Sequence, residues 1–155
     1  MSNNNLKPIY FFPNKLRFVG LFLIVIGIAF TVFRFYYGQK PDWLDIKVFA
    51  IYSSFLQKKY FSLITNNILE EVAGLSIFIG LFFIAFSKEK YEDKTILNIR
   101  IHSLFYAIYL NAFITILAFI FIYGLGFVYF LVINIFSFLL LFIILFQYNL
   151  LRNKK

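Results

Sequence analysis

Cysteine is absent from this chain of 155 residues, and histidine occurs once. The first absence excludes disulfides, thiol nucleophiles and cysteine metal ligands, and says little about compartment. The second leaves His102 with no second histidine or thiol to complete a ligand set, so no metal is expected. Recognisable catalytic patterns are missing too. There is no nucleophile elbow, no phosphate-binding loop, no metal-ligand cluster and no histidine to pair with a serine, so neither enzymatic activity nor a cofactor is expected. Charge is the last scarcity: 14% of residues are charged, against 62% hydrophobic and 23% aromatic. A soluble domain of this length cannot bury so much apolar surface, which makes an integral membrane protein the expected class.

What is present is organised in four apolar runs, at about 18–37, 68–87, 101–123 and 125–148. Each is long enough for a helix crossing a hydrocarbon core of about 30 Å, which takes roughly 20 residues. The runs are continuously apolar, without the period-two alternation of a membrane β-barrel. The expected fold is therefore all-α: one integral membrane four-helix bundle over 1–155, with a short extracytoplasmic loop at 38–67. Lys15 and Arg17 precede the first run as in a signal peptide. That run is too long for an ordinary signal core, however, and TVFRFYYGQK after it offers no small-residue cleavage pattern, so a retained helix is expected.

An even number of spans puts both termini on one side, together with the loop between the second and third runs. That side holds ten basic residues (Lys7, Lys15, Arg17, Lys88, Lys90, Lys94, Arg100, Arg152, Lys154 and Lys155) against five on the other. The excess makes both termini cytoplasmic. The same distribution removes nucleic acid as a partner, because a net charge of +8 spread over two tails and one loop is what topology requires, not a phosphate-binding patch.

Two acids, Glu70 and Glu71, open the second run. With Asn67 as N-cap, Glu70 falls at the third helical position, the form of a capping box, and both carboxylates meet the positive end of the helix dipole. The functional alternative is an intramembrane carboxylate moving ions or protons. Arg34 lies at a matching depth near the end of the first helix, so an ion pair of Arg34 with Glu70 or Glu71 is expected, unless Arg34 snorkels to the interface. On the second helix, Ala73, Ser76 and Gly80 fall on one face and let another helix approach closely, within the chain or between chains. The third and fourth helices turn at Tyr123–Gly126. Counted outward from that turn, Asn111, Thr115, Asn134 and Ser137 come to similar depths, which predicts an interhelical hydrogen-bonded cluster.

The loop 38–67 carries short runs of Val, Ile, Phe and Tyr that fit a small hairpin or an interfacial helix. Its apolar character on the outer face makes it a possible docking surface, while Trp43, Tyr36 and Tyr37 fit an aromatic belt. The block SKEKYEDKTILNIRIHS contains Lys88, Glu89, Lys90, Glu92, Asp93 and Lys94. It reads either as a solvated elbow, with Asp93 capping the third helix, or as an elbow that docks a protein partner.

The segments EEVAGLSIFIGLFFIAFSKEKYED, LNIRIHSLFYAIYLNAF and FIYGLGFVYFLVINIFSFLLLFIILFQYNLLRN together resemble a family of small four-span bacterial inner-membrane proteins of unassigned function. The resemblance covers about residues 40–153. It matches Glu70, Glu71, Gly74 and Gly80, then Ser87, Lys88, Glu89, Lys90, Glu92 and Asp93, then Arg100, Ser103, Asn111 and Asn134. It implies a bacterial inner membrane and no chemistry; genes of such proteins sometimes neighbour small helix-turn-helix regulators, which implies a membrane partner for a transcription factor. Two readings follow. One is a non-catalytic interaction or regulatory protein working in the lipid bilayer through a protein partner. The other is a small transporter or channel that self-associates through the second helix, with Glu71 and Asn111 lining a path.

Overall fold

The computed structural model describes residues 10–38, 40–54, 58–90 and 93–153. In chain order the elements are α1 (Lys15–Tyr37), a 3₁₀ turn (Asp42–Leu44), β1 (Asp45–Ser53), β2 (Lys59–Asn67), α2 (Leu69–Phe86), α3 (Lys94–Phe121) and α4 (Leu125–Arg152). All four helices are long and apolar enough to cross a membrane. In the most apolar stretch of α1, α3 and α4 only 11% of residues are buried within the chain, and in α2 28%. Apolar surface left uncovered on this scale is compatible with a membrane protein.

The chain divides into two compact units. Leu23–Phe78 forms one, and Met1–Phe22 with Ile79–Lys155 the other.

Within Leu23–Phe78, β1 and β2 form an antiparallel hairpin in register from Asp45↔Asn67 to Ser53↔Lys59. This settles the open alternative for residues 38–67: a hairpin, not an interfacial helix. Its root is tied down by Asn67, whose Nδ2 donates to Pro41 O (2.9 Å) and Asp45 Oδ1 (2.7 Å). Gly38, at φ +67°, ends α1 in the left-handed region where glycine carries no Cβ penalty. Here α1 and α2 meet closely: a Cβ on Gly27 would lie 2.6 Å from Ile77 Cγ1 and 2.8 Å from Ala73 O.

In the other unit, α3 and α4 pair through small residues. Ser103, Ala107 and Ala118 are buried on α3, opposite a core of Leu139, Phe142, Phe146 and Leu150 on α4. The turn between them passes through Gly124 at φ +65°. Close approach recurs between α1 and α2, where a Cβ on Gly20 would stand 2.6 Å from Gly80 O.

Helix limits differ from the apolar runs for local reasons. α3 starts at Lys94, seven residues ahead of its run, because Asp93 Oδ1 accepts from Ile96 N at 2.8 Å and caps the polar turns that follow. α2 stops at Phe86 because the next residue leaves the helix: Ser87 bridges Phe12 in parallel, with Phe12 N donating to Phe86 O and Lys88 N to Phe12 O.

Candidate functional site

In the first turn of α2, Glu70 Oε1 accepts from Arg34 Nε at 2.7 Å and lies 3.4 Å from Lys40 Nζ. Glu71 does not join this pair; it accepts from Asn66 Nδ2 at 3.0 Å. The capping box is not formed. Ile68 N is taken by Leu44 O, so Asn67 still belongs to β2 and the helix begins one position later than the box requires. Asn67 Oδ1 instead accepts from Leu69 N at 3.2 Å. Glu70 is turned toward a guanidinium, a stronger partner than a neutral amide. The arginine side chain is 26% exposed and the glutamate 47%, so water screens the pair. A cavity of about 510 Å³ opens between the hairpin and α2, lined by Val48, Tyr52, Ser53, Ser54, Ile64 and Glu71 among others.

The polar residues of α3 and α4 meet as one network. Ser137 Oγ donates to Asn111 Oδ1 (2.6 Å), Asn134 Nδ2 to Thr115 Oγ1 (3.2 Å), and Thr115 Oγ1 to Asn111 O (2.7 Å). A second bridge between these helices, Asn149 Nδ2 to Ser103 Oγ at 3.0 Å, has no counterpart in the sequence reading. Of the small residues on α2, Ala73 and Gly80 face α1 within the chain, Ala73 across from Gly27 and Gly80 across from Gly20.

The densest constellation lies at the end of α2. Arg100 is 3% exposed, and its guanidinium donates to Ala85 O (2.9 Å) and Ser87 O (3.2 Å), carbonyls at a helix end that have no partner inside the helix. The Phe11 and Phe146 rings flank it, with centroids 4.6 and 4.4 Å away. A delocalised, weakly hydrated cation suits this aromatic slot, and its charge complements the negative end of the α2 dipole. Next to it, Glu89 accepts from Arg17 (2.7 Å) and Gln147 (3.3 Å), while Asn14 Nδ2 donates to Lys88 O (2.7 Å).

The elbow is therefore not simply solvated. Glu89 turns inward, with its side chain 16% exposed, and Asp93 is occupied as a cap. Lys88, Lys90 and Lys94 stay exposed. Glu92, also expected in the elbow, lies outside the described residues.

Sequence reasoning missed Arg100 as a structural centre, since a cation beside a loop reads as a topology marker. A signal existed: Ser87, Arg100 and Ser103, the three buried polar side chains among the described residues, were all matched by the family resemblance. Gly20 and Gly27 were missed as well, two glycines seven residues apart whose absent side chains admit α2.

Compared with models of protein families, with curated proteins and with solved structures, the chain matches none.

Proposed function

We propose that this chain is a four-span protein of a bacterial inner membrane, with both termini cytoplasmic, that works by contact as an interaction or regulatory protein and not by catalysis. Composition, four span-length helices and the excess of basic residues on the side of the termini support the membrane and orientation parts. The interaction part rests on one observation, the pinned elbow. The backbone of Ser87 and Lys88 is bridged to Phe12, Glu89 is held by Arg17 and Gln147, and Lys88 and Lys94 beside them are exposed. A loop held in place loses less conformational entropy on docking than a floppy one, so pre-organisation favours binding.

The test is a mild-detergent pull-down of the tagged protein from its native membrane, paired with a Lys88→Glu, Lys94→Glu variant. The expected result is a cytoplasmic protein recovered with the parent and lost with the variant, while the variant keeps its elution volume. Identical partners in both, or recovery of the chain with itself alone, would reject elbow docking and turn the argument toward a self-associated transporter.

A further inference from the structure

We propose that the open face of the β1–β2 hairpin is a lipid-binding surface that rests on anionic phospholipid of the membrane its helices span. The inference uses the four-span reading only to bring residues 38–67 beside a leaflet, and it does not depend on the elbow.

The two faces of the hairpin differ. In the paired register, Val48, Ala50, Ser62 and Ile64 form the middle of one face and are each partly covered, while Tyr52 and Tyr60 toward the tip of that face are exposed. Phe49, Ile51 and Leu63 share the other, exposed to 62%, 64% and 71%. Phe61 adds a further exposed ring, 72% accessible, from a backbone at φ +47° that an aromatic residue rarely adopts. Four large apolar side chains on a two-stranded sheet lack the inward burial that makes such sheets stable in water.

Charge and connectivity identify what covers them. Exposed lysines bracket the apolar patch, Lys47 toward the root and Lys58 and Lys59 toward the tip. Asp45, the acid of these strands, is engaged by Asn67. An apolar centre rimmed by cations is the pattern of an element lying in a headgroup layer, with apolar groups entering the acyl boundary and ammonium groups meeting phosphates. Connectivity fixes the depth. A single residue, Ile68, joins β2 to the first residue of the span-length helix α2, so the root of the hairpin sits where that helix leaves the hydrocarbon. Exposed Trp43, Tyr36 and Tyr37 flank this root, the residue types that favour the headgroup region.

The chain has one tryptophan, which makes single-site fluorescence practicable. In a Trp43→Phe background, Phe49→Trp reports the open face and Val48→Trp the partly covered one. Each full-length variant is placed in nanodiscs of phosphatidylcholine, with and without phosphatidylglycerol, and quenched by brominated acyl chains from the lipid and acrylamide from the water. The expected result is at least about threefold stronger lipid quenching at 49 than at 48, with acrylamide showing the reverse, as an interfacial element with one face in lipid requires. Phosphatidylglycerol should strengthen the contrast, and Lys47→Gln, Lys58→Gln, Lys59→Gln should abolish that gain, since each basic residue near an anionic surface favours contact roughly fivefold.

Equal acrylamide access at both positions would overturn the proposal. So would protection at 49 without lipid quenching in discs carrying two copies, which would assign the face to a second chain, or a contrast indifferent to phosphatidylglycerol and to the lysines. Nanodiscs expose both leaflets, so an inverted topology would leave this readout unchanged and would be detected separately by cysteine labelling.

Discussion

Two arginines clamp α2, one at each end, and they do so in opposite environments. Arg34 meets Glu70 in the first turn as a partly exposed ion pair with Lys40 beside it. Arg100 lies buried at the last turn between two aromatic rings and donates to backbone carbonyls. The exposed pair is expected to contribute little, because water competes for both partners and long side chains lose entropy when fixed. Arg100 supplies donors to carbonyls that nothing inside the helix could satisfy, and removing it strips them in a place with little water. The more deeply buried arginine is therefore the one the fold is expected to depend on more.

The sharpest way to break this comparison is to remove each guanidinium in turn. Arg100→Met should cost the most, about 3–5 kcal/mol, the scale for deleting one partner of a buried charged contact. It should appear as aggregation or a large fall in thermal midpoint by fluorescence-detected size exclusion in detergent. Arg100→Lys should recover only part of this loss, since an ammonium lacks the planar fork that lies between Phe11 and Phe146 while reaching two carbonyls.

Overpacking comes next. Gly20→Leu and Gly27→Leu force side chains onto backbone or side-chain atoms already within 2.6 Å of a built Cβ, and should cost about 1–3 kcal/mol or more in the same assay. Gly74→Ala is the matched control: nothing lies within 4 Å of its Cβ, so the change should be neutral or mildly stabilising through helix propensity.

The interhelical network ranks third. Asn134→Leu should lower stability by about 0.6–1.7 kcal/mol, the range for hydrogen bonds between helices in a bilayer, and Ser137→Ala should fall in the same range. Combined, the two should cost less than their sum, because both act on one network through Ser137 and the Asn134 side chain.

Arg34→Gln completes the series with the smallest effect, at most about 1 kcal/mol, shrinking further as ionic strength rises. An Arg34→Glu, Glu70→Arg swap should recover most of what either single reversal loses. A large, salt-independent loss at Arg34, or a negligible one at Arg100, would invert the comparison.

The parts of this structure that the sequence showed are those with a chemical contrast against their surroundings. Asn111, Thr115, Asn134 and Ser137 are polar islands in apolar runs, and distance from one glycine turn places them together. Arg34 and Glu70 were legible in the same way, as charges at matched depth. The close approach of α1 and α2 was half legible: Ala73 and Gly80 sit on a recognisable small face, whereas Gly20 and Gly27 lie in an Ile- and Phe-rich run where a missing side chain has no polarity to reveal it. The capping box failed by one position because β2 runs almost directly into α2, and strand pairing claimed the residue that the motif needed. Arg100 was hidden by its neighbourhood in sequence. Lys88, Lys90 and Lys94 make it look like one more cytoplasmic cation, and only the seven helical residues from Lys94 to Arg100 carry it to the end of α2.

Topology is the premise on which the cytoplasmic elbow and the outer hairpin both stand, and the absence of native cysteine makes it directly measurable. Single cysteines at Tyr10, Ser54, Lys94 and Asn153, all exposed, would be treated in intact cells with a membrane-impermeant maleimide and again after permeabilisation. The account predicts that Ser54→Cys labels in intact cells, and that the other three label only once the membrane is opened. Labelling of Tyr10, Lys94 or Asn153 in intact cells, with Ser54 protected, would contradict it.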